Sequence, residues 1–217
     1  MNIKKITRAS LEMFLKSEAS DLYTLDIGSG GSMYGYDRFF TKRVTVDIDP
    51  ARNPEIVGDI HALPFPDGTF DRVLCVEVLE HVKDPRQAFK EMKRVLKPGG
   101  KIVLSTRFLF PIHDAPHDYW RFTHFALQML CDEAALAVER LEPDTRTLSG
   151  LGAVMQRIAF QSRFKYADKL VKVLFFAKAR VLDWGSWLTK EEFGDIKKET
   201  RVTALAPAGY FLVAQKR

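Results

Sequence analysis

The chain has 217 residues, 46% of them hydrophobic and 28% charged. That balance fits one domain with an elaboration and excludes disordered, collagen-like and coiled-coil classes. Its 33 Lys and Arg against 28 Asp and Glu leave a net charge of +5, which permits an anionic partner without requiring one.

Residues 3–18 carry Ile3, Ile6, Leu11, Phe14 and Leu15 among polar neighbours, the spacing of an amphipathic helix. Scattered charge in this stretch is not the pattern of a signal peptide. Short apolar runs then alternate with helical ones. LYTLDI (22–27), RVTVDI (43–48), EIVGD (55–59), DRVLCVEV (71–78) and KIVLST (101–106) are expected strands. MYGYDRFF (33–40) and DPRQAFKEMKRVLK (84–97) are expected helices, the second stopped by Pro98, Gly99 and Gly100. Thr123 is placed to cap a helix running to Glu133, and AVERLEP (137–143) and GYFLVAQ (209–215) complete the strands. This alternation predicts an α/β fold with a mostly parallel sheet covered on both faces.

The whole of 1–217 reads as a single domain with a helical insertion over 147–205, longer than a link between two edge strands needs. Between Leu151 and Leu182 the insertion has seven bases against one acid, a net +6, interleaved with Ile158, Phe160, Phe164, Leu170, Phe175, Phe176 and, beyond, Trp184 and Trp187. A substrate-covering lid, a membrane-surface helix and a homodimer face are all compatible with that pattern; ordinary helices packed on the sheet are the simplest reading. Cys75 and Cys131 lie in apolar segments, as reduced thiols do. With no stretch of about 18 uncharged apolar residues, a cytoplasmic location is expected, with peripheral membrane contact open.

The chemistry begins at LDIGSGGS (Leu25–Ser32). Gly28 and Gly30 permit a tight turn and close ligand approach at a helix start. Met33 stands where a dinucleotide fingerprint needs glycine, and the phosphate-loop Lys is also absent. Asp26, before the glycines, suits a ligand amine. About 20 residues on, Asp47 ends the second strand, where a carboxylate accepts ribose hydroxyls. Asp59 follows the third strand, placed to accept from an adenine amino group while the Ile60 N–H donates to the ring. Amine, ribose and adenine together describe S-adenosylmethionine (SAM).

The runs LDIGSGG, VTVDIDP, GDIHALPFPDGTFDRVLCVEVLEHV and LKPGGKIVLST resemble the class I, seven-stranded SAM-dependent methyltransferases, of the broad type that includes quinone-biosynthesis enzymes. Ser32 departs from the family's frequent third glycine. The resemblance implies a doubly wound sheet of order 3-2-1-4-5-7-6 with the seventh strand antiparallel. It also implies SAM across the carboxyl ends of strands 1, 2 and 4, held by Asp26, Gly28, Ser29, Gly30, Asp47, Ile48, Asp59, Ile60 and Glu77.

Glu77, Glu80 and His81 would share one face if a helix starts there, and His113 and His117 follow strand five in FPIHDAPHDYWRFT. E-x-x-E-H with a later histidine is similar to the magnesium site of small-RNA 2′-O-methyltransferases. By that resemblance Glu77, Glu80, His81 and His117 would hold Mg²⁺ or another divalent metal, with His113 the alternative fourth ligand. In the metal-free reading His81 only caps or packs, and His117 or His113 is the general base. Tyr119, Trp120 and Arg121 are candidate acceptor contacts, or else loop packing with an Arg121–Asp118 pair.

The function expected is O-methylation of a small-molecule, sugar- or lipid-linked acceptor. An RNA 2′-O-methyltransferase and a non-catalytic SAM-binding partner protein are the alternatives. Nucleic acid is not the expected partner, because the chain shows no separate RNA-binding module and no Asp/Asn-Pro-Pro-aromatic motif.

Overall fold

A computed structural model describes residues 5–28, 35, 38–189 and 204–217. Helix α1 spans Ile6–Ser17, and strands β1 (Thr24–Ile27), β2 (Arg43–Asp47), β3 (Ile56–Val57) and β4 (Phe70–Val76) follow. Next come α2 (Pro85–Val95), β5 (Leu96–Arg107), α3 (His124–Glu133) and β6 (Leu136–Pro143). Helices α4 (Thr147–Gln161) and α5 (Asp168–Gly185) precede the closing strand β7 (Gly209–Lys216). The sheet order is β3-β2-β1-β4-β5-β7-β6. Strands β1 to β5 pair in parallel, and β7 runs antiparallel to both β5 and β6. Fold class and order are those expected.

Alternation along the central strands explains why helices cover both faces. Val73, Cys75, Ile102, Leu104 and Leu212 pack into the core beneath α2 and α3. Leu74, Val103, Phe211 and Val213 point the other way, onto α1. There Phe14 stacks on Phe211 with ring centroids 4.3 Å apart. Helix α2 begins on Asp84, whose side chain accepts from the Gln87 N–H at 3.1 Å, with Pro85 in the first turn. Its buried Ala88, Phe89, Met92 and Val95 follow the helical period. Thr123 caps α3 as expected, accepting from the Ala126 N–H.

Two local departures have physical causes. Strand β5 starts at Leu96, ahead of the Pro98-Gly99-Gly100 stop, because the turn is absorbed as an irregularity between the Phe70 and Arg72 pairings. Residues 77–81 form a single short 3-10 turn, Leu79–His81, instead of the start of a helix. Glu77 has a φ of 59°, which takes it off the helical path. Half of the expected helix over 33–40 (residues 33, 34, 36 and 37) lies outside the described residues, as does all of 190–203 of the insertion.

Within the insertion, α4 and α5 approach closely at a glycine. A Cβ on Gly152 would stand 2.7 Å from the Ala179 carbonyl oxygen, and Ala179 is the one buried residue of α5. Both cysteines are buried; burial pushes their thiols up, Cys131 to about 12. No helix among the described residues is long and apolar enough to cross a membrane.

Candidate active site

The carboxyl ends of β1, β2 and β4 meet where the expected nucleoside would lie. Gly28 follows β1 with a φ of 68°, and a Cβ there would come within 2.4 Å of Val78 Cγ2, so only glycine fits this turn. Ser29 and Gly30 lie outside the described residues. At the end of β2, Asp47 is buried, its Oδ1 accepting from the Asp49 N–H at 3.0 Å. Its Oδ2 is buried without any hydrogen-bond partner. A buried carboxylate oxygen left without a partner is costly, and a ribose hydroxyl is the kind of donor that would relieve it. Ile48 beside it is 67% exposed, an apolar surface at the mouth of the crevice. Asp59 keeps its carboxyl below the usual range although partial burial pushes the other way, because the His61 N–H and ring both bond to Oδ1. Ile60 is buried behind it. These acceptors thus fit the hydroxyls of a ribose and the amino group of an adenine.

Asp26 is arranged differently. Its Oδ2 accepts from Arg43 Nη1 at 2.9 Å across the β1–β2 pair, in a nearly dry setting. Burial raises its pKa to about 7 against the opposing pull of Arg43. A ligand amine meets a carboxylate already committed to an arginine, which makes Asp26 a brace of the sheet.

The second cluster sits at the ends of β4 and β5. Glu80 is fully buried; its Oε2 accepts from Thr106 Oγ1 at 2.9 Å, and its Oε1 has no hydrogen-bond partner. Burial pushes its pKa up. His113 Nε2 faces that oxygen from 4.0 Å, and the His81 and His113 rings lie edge to face, 4.8 Å apart. One ligand atom from each of Glu80, His81 and His113 lies within 4.8 Å of the others. Glu77 and His117 are outside this group. Glu77 accepts from Ser105 Oγ at 2.8 Å and pairs with Arg107. The exposed His117 bonds Tyr119 Oη through its ring at 3.1 Å, and its carbonyl oxygen bonds His81 Nδ1 at 2.7 Å.

The loop after β5 is tied together by Asp118. Its carboxylate takes a bidentate grip from Arg121 at 2.6 and 2.7 Å and accepts from the His113 N–H at 2.9 Å. Burial opposes ionisation, but these bonds hold Asp118 down at about 2. The remaining Arg121 donors go to the carbonyls of Phe110, Pro111 and Trp120. Arg121 therefore fixes the loop, the pairing given above as the alternative to acceptor binding. Tyr119 and Trp120 stay about 40% exposed, with Trp120 Nε1 donating to the Val82 carbonyl at 2.8 Å. Burial lowers the His113 pKa despite Asp118 nearby, so its ring is neutral near pH 7.

Comparison with known proteins bears on this geometry. Residues 25–104 match the family model described as a methyltransferase domain. They include β1, the crevice and β4. The chain is 31% identical over 140 residues to the ubiquinone/menaquinone biosynthesis C-methyltransferase UbiE of Vibrio vulnificus, covering 57% of this chain and 52% of that protein. Residues 25–104 thus carry a methyltransferase domain, and the chain is similar to class I enzymes of the UbiE type. It is also 37% identical over 81 residues to the norajmaline N-methyltransferase of Rauvolfia serpentina, covering 37% of this chain and 28% of the relative. The chain spans about half the length, or less, of these curated relatives. The crystal structure of the 4+2 cyclase SpnF superposes with a TM-score of 0.62 at 16% identity, over 97% of this chain and 81% of that one. At that identity the likeness concerns the fold. A fold shared with a cyclase does not fix the reaction.

Residue reasoning missed Arg43, Thr106 and Arg107 as members of the site, because they arrive by strand register. Asp118 was anticipated only as the loop partner of Arg121, three residues on.

Proposed function

We propose that the chain transfers the methyl group of SAM to an oxygen of a small-molecule, sugar- or lipid-linked acceptor. The observation that carries the SAM reading is the buried, unpartnered Oδ2 of Asp47 beside a turn that admits only glycine. Asp47 accepts from the ribose, and Asp59 has its Oδ2 left for the adenine amino group. When bound, SAM supplies an electrophilic methyl carbon on a sulfonium, so the protein's remaining task is to place and deprotonate a nucleophile.

His113 suits that task. Its Nδ1 lies against the Pro111 carbonyl at 3.3 Å and Asp118 at 3.4 Å, which leaves Nε2 as the atom to take a hydroxyl proton. The exposed Tyr119 and Trp120 offer ring faces beside it. The donor set of Glu80, His81 and His113 also fits a divalent ion. One carboxylate with two imidazoles suits Mn²⁺, Fe²⁺ or Zn²⁺ better than Mg²⁺, and such an ion would polarise the acceptor oxygen.

The exposed face of α5 favours an acceptor met at a lipid surface. Leu170, Val173, Leu174, Val181 and Trp184 are all at least half exposed there, and Lys169, Lys178 and Arg180 are exposed with them. Apolar bulk flanked by bases suits an anionic bilayer.

The test is transfer of labelled methyl from SAM to a panel of hydroxylated acceptors, comparing vicinal diols with mono-ols. His113→Asn should lower turnover about 10²- to 10⁴-fold with SAM affinity unchanged. A chelator that abolishes turnover in the parent would place a metal at the cluster. Full turnover by His113→Asn would remove this histidine from the mechanism.

A further inference from the structure

On the far side of Arg107, the first turn of α1 and the middle of α4 close around a cavity of about 70 Å³. Lys5, Arg8, Arg107 and Arg157 line it, and none of its described lining residues is acidic. Arg107 is engaged by Glu77 and lies 3.6 Å from Asp144. Arg157 has no carboxylate partner among the described residues. Its Nε is buried without a hydrogen bond, and its guanidinium lies 5.5 and 5.8 Å from the ring centroids of Phe110 and Phe160. Lys5 rests over Phe160 with Nζ 4.1 Å from the centroid, and it too lacks a carboxylate among the described residues. Its pKa is lowered, first by burial and then by Arg157, Arg8 and Arg107.

Gln156 adds an independent sign. It is 3% exposed, and its Oε1 accepts from the Ile6 N–H at 3.1 Å. Its Nε2 is buried and donates to nothing. Cations crowded together and buried donors left unmade are each unfavourable, and an oxyanion corrects both at once. The volume exceeds what one water requires.

We propose that this cavity is an anion subsite that receives a carboxylate or phosphate group of the methyl acceptor. The position links it to the chemistry: Phe110 packs edge-on against His113 with centroids 5.1 Å apart, and Arg107 reaches Glu77 just past β4. The assignment of the anion to the acceptor rests on the reading of His113 above; the anion site itself does not.

The experiment is calorimetry of the full chain without SAM, titrating inorganic phosphate and, separately, acetate against chloride at equal ionic strength. Saturable binding of phosphate or of acetate beyond chloride is expected, weakened at least tenfold by Arg157→Gln, with SAM affinity within twofold of the parent. Phosphate binding alone would assign a phosphorylated acceptor, and acetate alone a carboxylated one. Absence of saturable binding for both, or an Arg157→Gln protein that binds as the parent does, overturns the proposal. Should Arg157→Gln fail to fold, Lys5→Gln provides the same comparison. Oxyanion binding in a protein that takes no SAM would sink the SAM reading and leave this site standing.

Discussion

Asp26 and Asp47 are both carboxylates at the ends of neighbouring strands, yet their surroundings give them different work. Asp26 faces Arg43 inside the sheet, and its pKa of about 7 is dominated by burial. An unfolded aspartate titrates near 4, so between pH 4 and 7 the folded chain holds the extra proton. Stability must therefore fall as pH rises through that window. A shift of about three units corresponds to about 4 kcal/mol at most. Thermal or denaturant unfolding of the parent from pH 5 to 8 should show this decline, and Asp26→Asn should flatten it. Parallel pH slopes for the two proteins would contradict the assignment. The acid before the glycines was legible in the sequence. Its partner was not, because Arg43 reaches it only through the parallel pairing of β1 with β2.

Among the elements, those with a strong local pattern were legible: the strands, the Asp84- and Thr123-capped helices, and the glycine turn. The turn at 77–81 was not, because nothing in the spacing of Glu77, Glu80 and His81 signals a left-handed φ at Glu77. That one dihedral takes Glu77 out of the cluster, and the loop after β5 brings His113 in. The insertion announced its apolar and basic character but not how little of it is covered. Helix α5 buries only Ala179, and Trp184 and Trp187 are more than 60% exposed while packing on each other at 6.0 Å. If this face meets lipid, the parent should co-sediment with vesicles containing anionic lipid and much less with zwitterionic ones. Replacing Trp184 and Trp187 by Ala should weaken that binding several-fold without altering unfolding. Equal recovery from both vesicle types would turn the face over to a protein partner or a second copy.

At the scale of the whole molecule, a parallel sheet whose strands end together gathers distant residues along one edge. Asp47, Asp59, Glu80 and His113 come from four connections and share that edge. The order of strands and the cofactor crevice could be anticipated because the motifs that build them are contiguous over residues 25–104. The acceptor could not. The contacts proposed for it are scattered over the loop after β5, α1 and α4, and the named relatives are a C- and an N-methyltransferase. The fold therefore leaves the receiving atom to the site. Everything proposed for that atom depends on the nucleoside crevice, and titration of the full chain with SAM, beside Asp47→Ala, tests it most directly. Saturable one-to-one binding is expected, weakened about 10- to 150-fold in Asp47→Ala by loss of a hydrogen bond to a charged acceptor worth about 1.5–3 kcal/mol. No saturation at millimolar SAM, or an Asp47→Ala protein that binds as tightly as the parent, would contradict it.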